Sequence, residues 1–266
     1  MLSLKNVTKR YGDAGTGTLA VQDLTFEIGG NEVVTIVGPS GCGKTTVLKL
    51  MAGLLEPTSG SITIDGDAVT RPPKQIALVF QDYVNSLYPW MTVEQNVDFP
   101  LTRKVRDRTA RRERVMTAIE SVGLMGFENR YPWQLSGGMQ QRVAIARGLA
   151  YQPQMLLMDE PFGALDAQTR ADLEDLVLHV RDTFGITIVF VTHDIDESVY
   201  LADRVLVMGP RPTFIEADLP VSLPSPRDQI ETKELPEFAR VRSDVYRRIR
   251  RSSELMRTGG NKTVTA

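Results

Sequence analysis

Crosslinking sulfur is the first thing this 266-residue chain lacks: it holds one cysteine, Cys42. No intramolecular disulfide can form, and a lone thiol suits a reducing compartment. Charge of one sign is also missing, because 31 Lys and Arg stand against 33 Asp and Glu, a net of −2. A chain so balanced has no global attraction to nucleic acid. No apolar run approaches the roughly 20 residues that span a bilayer. Met1 to Asn6 shows no charged leader followed by an apolar core, so no signal peptide is expected. Any work at a membrane would need something other than a spanning segment to bring the chain there. What remains is ordinary: 42% hydrophobic and 24% charged residues, enough for one domain, or one domain plus a small subdomain.

The stretch from Val33 to Leu54 organises the rest. Val33, Val34, Thr35, Ile36 and Val37 read as a strand apolar on both faces, as in the middle of a parallel sheet. Val47, Leu48, Leu50, Met51 and Leu54 recur at the spacing of one helix face. Between them Gly38-Pro39-Ser40-Gly41-Cys42-Gly43-Lys44-Thr45-Thr46 fits G-x-x-x-x-G-K-[ST], the Walker A phosphate loop. Glycines let successive N–H groups turn inward around a phosphate chain, and the helix start adds its positive end. Lys44 would reach the β- and γ-phosphates, and the Thr45 hydroxyl would hold Mg²⁺. A glycine turn before a core helix is the plain alternative; strand, loop and helix together favour the nucleotide. Cys42, at a variable position of the motif, reads as filler, although alkylating it would block the loop.

Along the chain, Leu2 to Val7 and Val21 to Ile28 alternate as strands. A loop rich in Gly and Thr lies between them, and Tyr11 is a platform for an adenine ring or a rim tyrosine. Ser61 to Asp67 reads as a strand ending in an Asp-Gly turn, and Ile76 to Phe80 as another strand, with Gln81-Asp82 at its end. Ser86 to Met91 is a loop with large apolar side chains, either a docking surface or a loop folded on its own subdomain. Thr92 and Gln95 form a capping box for the next helix. The Arg-rich run Arg103 to Arg114 reads as a solvated face of a helix that buries Val115, Ala118, Ile119 and Val122.

A second constellation is Leu135-Ser136-Gly137-Gly138-Met139-Gln140-Gln141-Arg142. Ser136 fits an N-cap, so this helix start is a second anion site or a plain capped helix. Met155-Leu156-Leu157-Met158-Asp159-Glu160 is an apolar strand ending in two carboxylates, a Walker B pattern. Adjacent acids point to opposite sides of a strand: Asp159 would hold Mg²⁺ through a water, and Glu160 would orient or deprotonate the attacking water. Gly163-Ala164-Leu165-Asp166 makes a turn, with a helix from Asp172 to Phe184. Ile186 to Val191 is a buried strand, and His193 sits at its C-terminal end, where open parallel sheets bind ligands. His179, mid-helix, reads as structural. Val205 to Met208 is a last strand, and Gly209 to Arg227, with five prolines, reads as extended. From Pro236, Phe238, Val241, Val245 and Ile249 line one face of a basic amphipathic helix that packs on its own domain or touches anionic lipid; Thr258 onward is expected to fray.

With Walker A, LSGGM-QQR, LLMDE, the ALD turn and the Thr-His pair in this order, Met1 to Arg227 resembles the ATPase subunit of an ABC transporter. The resemblance implies an α/β fold: a P-loop NTPase core with a mostly parallel sheet, an antiparallel β subdomain, and a helical subdomain at about 86–152 carrying the signature. A helical tail, 228–266, would follow the cassette of 1–227. It implies ATP and Mg²⁺ as cofactors and two copies head to tail, with Ser136, Gly137 and Gly138 of one copy closing over the nucleotide of the other. It further implies that Gln81 links Mg²⁺ and the water to the permease, that Asp166 crosses the dimer interface, that His193 contacts the γ-phosphate, and that Tyr11 stacks on adenine. Lys44, Gln81, Glu160 and His193 would be catalytic, and Thr45, Gln81 and Asp159 would serve the metal. Partners would be a membrane permease, docked at the 86–91 loop, and an extracytoplasmic solute-binding protein, with the subunit peripheral on the cytoplasmic face of the inner membrane. Met139 replaces the usual Gln of LSGGQ, at a position that serine and glycines do not depend on. Met139, the Tyr88-Pro89-Trp90-Met91-Thr92-Val93 loop and the LPVSLPSPRD stretch are similar to the nitrate, sulfonate and taurine branch of importers. A non-transport ABC ATPase acting on DNA or ribosomes is the rival; such proteins carry a coiled-coil insert or a second cassette. Only 92 positions separate Lys44 from Ser136, and there is one Walker A. A phosphotransferase with a phosphate loop would not need LSGGM.

Overall fold

Val33–Val37 is buried at every position, and the first of two units is built around it. The computed structural model describes residues 1–12, 17–163 and 165–259. The Gly/Thr loop expected after Gly12, Ala164 of the ALD turn, and the chain beyond Gly259 therefore lie wholly or partly outside the described residues. The units are Met1–Pro73 with Thr187–Ala266, and Lys74–Ile186.

The first unit opens with an antiparallel sheet of β1 (Leu2–Tyr11) and β2 (Thr18–Ile28). β1 runs four residues past the expected Val7. Register shifts between Leu4 and Arg10, with Asn6 at φ +50°, break the period-two alternation, so the pattern stops where the ladder continues. β3 (Val33–Val37) leads through the phosphate loop into α1 (Lys44–Met51). β4 (Ser59–Ile64) joins β1, and an Asp65-Gly66 turn brings back the short β5 (Asp67–Ala68).

The second unit holds β6 (Ile76–Val79), α2 (Tyr83–Ser86), α3 (Val93–Asp98), α4 (Arg108–Ser121), α5 (Gly137–Ala150), β7 (Met155–Asp159) and α6 (Ala167–Phe184). β6 and β7 pair in parallel, with Val79 beside Met158. α3, α4 and α5 pack on one another, burying Val93, Val97, Val115, Ala118, Ile119, Val143 and Ile145. The Thr92 and Gln95 capping box is present at α3. α6 begins five residues before the expected Asp172. The Asp166 side chain accepts the Thr169 N–H, and the first turn has no apolar face for a periodicity to register.

Back in the first unit are β8 (Thr187–Val191), α7 (Ile195–Leu201), β9 (Arg204–Met208), β10 (Ile215–Pro220), α8 (Glu231–Glu234) and α9 (Pro236–Gly259). β8 and β9 flank β3 in parallel, and β10 adds antiparallel to β9. The stretch expected to be merely extended thus contains a strand, ending on Pro220, and a proline is tolerated at a strand terminus on an edge. α9 lays Phe238, Val241 and Val245 inward, against α7 and β9. Its arginines are largely answered at home: Arg240 by Glu237, Arg248 by Asp244, Arg250 by Glu254, and Arg242 by Asp196 of α7. This favours packing on its own unit over a lipid surface. Among the described residues no helix is long and apolar enough to cross a membrane.

Candidate functional site

The phosphate loop sits where β3 ends. At its close Gly43 holds φ +124°, a backbone that side-chain-bearing residues avoid. A Cβ there would also meet the Thr213 hydroxyl at 3.0 Å. α1 starts immediately afterwards with no side chain capping it, although helix starts normally recruit one. Beside that start Lys44 is 7% exposed, with Nζ donating to the carbonyls of Gly38 (3.0 Å) and Pro39 (3.4 Å). A buried ammonium beside an uncapped helix start is a concentrated positive field, the chemistry a polyphosphate requires. The loop therefore fits the triphosphate.

Ser40, Gly41 and Thr45 are exposed and Thr46 partly so. The Tyr11 hydroxyl lies 3.3 Å from Thr46 Oγ1 with its ring 42% exposed, so the end of β1 stands beside the loop. Cys42 is fully buried, and burial pushes its thiol up from its ordinary value. A neutral, inaccessible thiol is inert, which supports filler over a reactive handle. Thr213, a buried residue the sequence did not single out, donates its hydroxyl to the Cys42 carbonyl. It also exchanges backbone bonds with Ala20 and Gln22, pinning the loop to β2. Contact across 171 positions leaves no local signal.

His193 reaches the same sheet edge. Val191 of β8 is in register with Ile36 of β3, so His193 and Gly38 each follow two residues past a paired position. The turn around His193 is braced: Thr192 donates to the buried Glu197 carboxylate, and Asp194 caps α7 through the N–H groups of Asp196 and Glu197. His179 is exposed, with Nε2 3.4 Å from Thr183 Oγ1, as its structural reading expects.

The second unit brings its own group together. Gln81 and Glu160 both follow two residues beyond the paired Val79 and Met158, and Gln81 Nε2 donates to Glu160 Oε2 at 3.5 Å. Glu160 holds φ +42° while Asp159 ends the strand buried; such backbone strain concentrates at functional sites. Ser136 caps α5, accepting the Met139 N–H at 3.3 Å. Gly138 follows, where a Cβ would run into the Thr169 methyl group. Asp166 caps α6, and the Thr169 N–H (3.0 Å) and hydroxyl (2.7 Å) hold its carboxyl below the usual range.

The 86–91 loop is folded on its own unit and leaves one of its aromatics exposed. Leu87 is buried, and Asn96, wholly buried, accepts the Tyr88 N–H and donates to the carbonyls of Tyr88, Met91 and Thr92. Arg147 of α5 donates to the Ser86 carbonyl at 2.6 Å and hydroxyl at 2.8 Å. Its guanidinium is pushed down from its ordinary value by desolvation and still carries its charge. Tyr88 packs on Phe99, with ring centroids 4.7 Å apart, while Trp90 stays 69% exposed. The backbone is thus anchored and one aromatic is presented. Asn96 and Arg147 do this anchoring and escaped the sequence reading, because a lone amide and one more helix arginine carry no pattern. A cleft of about 650 Å³ lies in this unit, lined among others by Phe80, Tyr88, Phe99 and Arg147.

The side chains expected to serve a metal, the Thr45 hydroxyl in the first unit and the Asp159 carboxylate and Gln81 amide in the second, each carry an oxygen donor. They suit Mg²⁺, which takes few protein ligands and relies on phosphate and water for the rest. Among the described residues no cluster of three His, Cys, Asp or Glu could hold a metal alone.

The model of the ABC transporter family matches residues 21–163. The aliphatic sulfonates import ATP-binding protein SsuB of Bacillus cereus is 42% identical over 241 residues, 90% of this chain and 92% of that protein. The nitrate import ATP-binding protein NrtC of Synechococcus elongatus is 42% identical over 248 residues, 92% of this chain but 37% of the longer relative. Among solved structures, the ATP-binding cassette MJ0796, a dimer in a post-hydrolysis state with ADP and Pi, matches with TM-score 0.72 and 35% identity over 84% of this chain and 99% of its own. With the P-loop NTPase architecture, the two motif-bearing strand ends and this similarity in hand, the chain belongs to the ABC transporter family, as an ATP-binding subunit that hydrolyses ATP.

Proposed function

We propose that this subunit powers uptake of a small solute, of the nitrate, sulfonate or taurine type, through a membrane permease. The observation that carries the reading is the 42% identity to a sulfonate import subunit over nine-tenths of both chains. The subunit works as a homodimer, peripheral on the cytoplasmic face of the membrane, and an extracytoplasmic binding protein delivers the solute. The division proposed is a cassette of 1–227, its helical subdomain at about 86–152, and a tail of 228–266.

Each residue then has a task. Gly38 to Thr46 cradle the triphosphate with backbone N–H groups, and Lys44 leaves the Gly38 and Pro39 carbonyls for the phosphate oxygens. Tyr11 stacks on the base. Glu160 positions the attacking water and takes its proton, Gln81 holds the Glu160 carboxylate, and His193 donates to the γ-phosphate. Mg²⁺, when bound by Thr45, Asp159 and Gln81, neutralises charge on the phosphates. Ser136, Gly137 and Gly138 serve the partner's nucleotide, and Asp166 lies at the interface. Trp90 and its anchored loop receive the permease. The test is Glu160→Gln: it should bind ATP and dimerise but not turn over. Full hydrolysis by this variant would remove Glu160 from its role.

A further inference from the structure

Glu197 is 5% exposed, a carboxylate buried beside the turn that presents His193, and the scheme above gives it no task. Burying an ionisable group is costly, and an apolar residue of similar size often serves stability as well or better. α7 has other residues for its packing, since Val199, Tyr200 and Leu201 are all fully buried.

The carboxylate orients one hydroxyl. Thr192 Oγ1 donates to it, which leaves the lone pairs of that oxygen to accept the Asp194 N–H at 3.0 Å. His193 lies between Thr192 and Asp194, so this pair of bonds closes the turn on both sides of it. Glu197 grips the turn a second time through its backbone, donating its N–H to Asp194 Oδ1 at 3.1 Å. The turn is also tied to the strand that carries the phosphate loop. The Thr192 N–H donates to the Ile36 carbonyl at 3.2 Å, and Thr35, wholly buried, donates its hydroxyl to the Ser198 carbonyl at 3.0 Å. β3 therefore leads into the phosphate loop and anchors the His193 turn at once. All of these residues lie in the first unit.

We infer that Glu197 is a positioning residue for ATP hydrolysis: through the Thr192 hydroxyl it fixes the His193 imidazole at the distance from the phosphate loop that the γ-phosphate requires. The inference rests on the role proposed for His193. An apolar side chain at 197 frees the Thr192 hydroxyl to rotate, loosens its bond to Asp194 and lets the imidazole drift. A displacement of about 1 Å costs on the order of a hundredfold in rate. Nucleotide affinity does not follow, because Lys44 and the loop backbone carry it.

In the full chain, Glu197→Leu should lower kcat for ATP by about tenfold to a hundredfold, with the affinity for MgATP in equilibrium binding unchanged. Glu197→Gln keeps an acceptor and should recover most of the rate. Thr192→Val deletes the other half of the same bond and should match Glu197→Leu, so the effect is read from whichever of the two melts like the parent. The deciding measurement is a double-mutant cycle with His193→Ala. In that background either change should alter the residual single-turnover rate by less than about twofold, because no imidazole is left to misplace. Losses that add across the cycle overturn the inference, and so does a folded variant with parental kcat. Failure of both variants to fold also overturns it, since Glu197 would then serve the fold alone. Parental turnover by His193→Ala overturns the reading of His193 as well.

Discussion

Ser136 has two separable jobs in this account, and one pair of substitutions pulls them apart. Its side chain caps α5, accepting the Met139 N–H at 3.3 Å, and α5 carries Val143, Ile145, Ala146 and Leu149 into the core. Removing such a cap costs about 1 kcal/mol, so Ser136→Ala should melt roughly 2–4 °C lower in a chain of this size. Ser136→Asp keeps an acceptor at the same place and puts a negative charge at a helix start, where it is favourable. Its melting temperature should equal or exceed the parent's. The partner's triphosphate, however, would then face a carboxylate. At about 4 Å and the dielectric of a protein surface, two like charges repel by roughly 4 kcal/mol. Solvent screening reduces that, leaving a loss of dimer affinity of about a hundredfold or more. Sedimentation in MgATP on the Glu160→Gln background reads the dimer, and a thermal melt without nucleotide reads the cap. A well-folded Ser136→Asp chain that dimerises with parental affinity would refute the trans role of the signature.

Other consequences follow from single contacts. Arg147→Met removes both bonds to Ser86 and should lower stability by about 1.5–3 kcal/mol, read as a shift of the denaturant midpoint; an unmoved midpoint contradicts its anchoring role. The Asp166 carboxyl is held low by Thr169, so its stabilisation is present above the ordinary carboxylate pKa and is lost as pH falls through the depressed folded value. Asp166→Asn keeps a cap that does not titrate, so the stability advantage of the parent over the variant should shrink below about pH 4. An advantage that grows on acidification would show the opposite shift.

What the sequence revealed follows from how locally each feature is specified. The strand, loop and helix from Val33, the Thr92 and Gln95 box, the Ser136 cap and the acid pair at Asp159 and Glu160 depend on neighbours within four positions, and periodicity or capping chemistry exposes them, although the helix stops at Met51 and leaves Leu54, expected on its buried face, half exposed. β1 past Val7 did not read as a strand because bulges erase alternation. The first turn of α6 carries no helical periodicity because, Ala167 apart, its residues are polar. Thr213 under the loop, and Asn96 and Arg147 behind the aromatic loop, act on backbone atoms far away or with no repeating spacing. Only folded coordinates bring those partners together.

The central claim is that one chain supplies half of each reaction chamber. Mixing two inactive variants tests it most directly: Lys44→Ala, which has an intact signature, and Ser136→Asp, which has an intact phosphate loop. Each alone should hydrolyse almost no ATP. An equal mixture should recover about a quarter of the parental rate, because about half of randomly paired dimers are mixed and each holds one whole site of two. A mixture as inactive as its components would contradict the account.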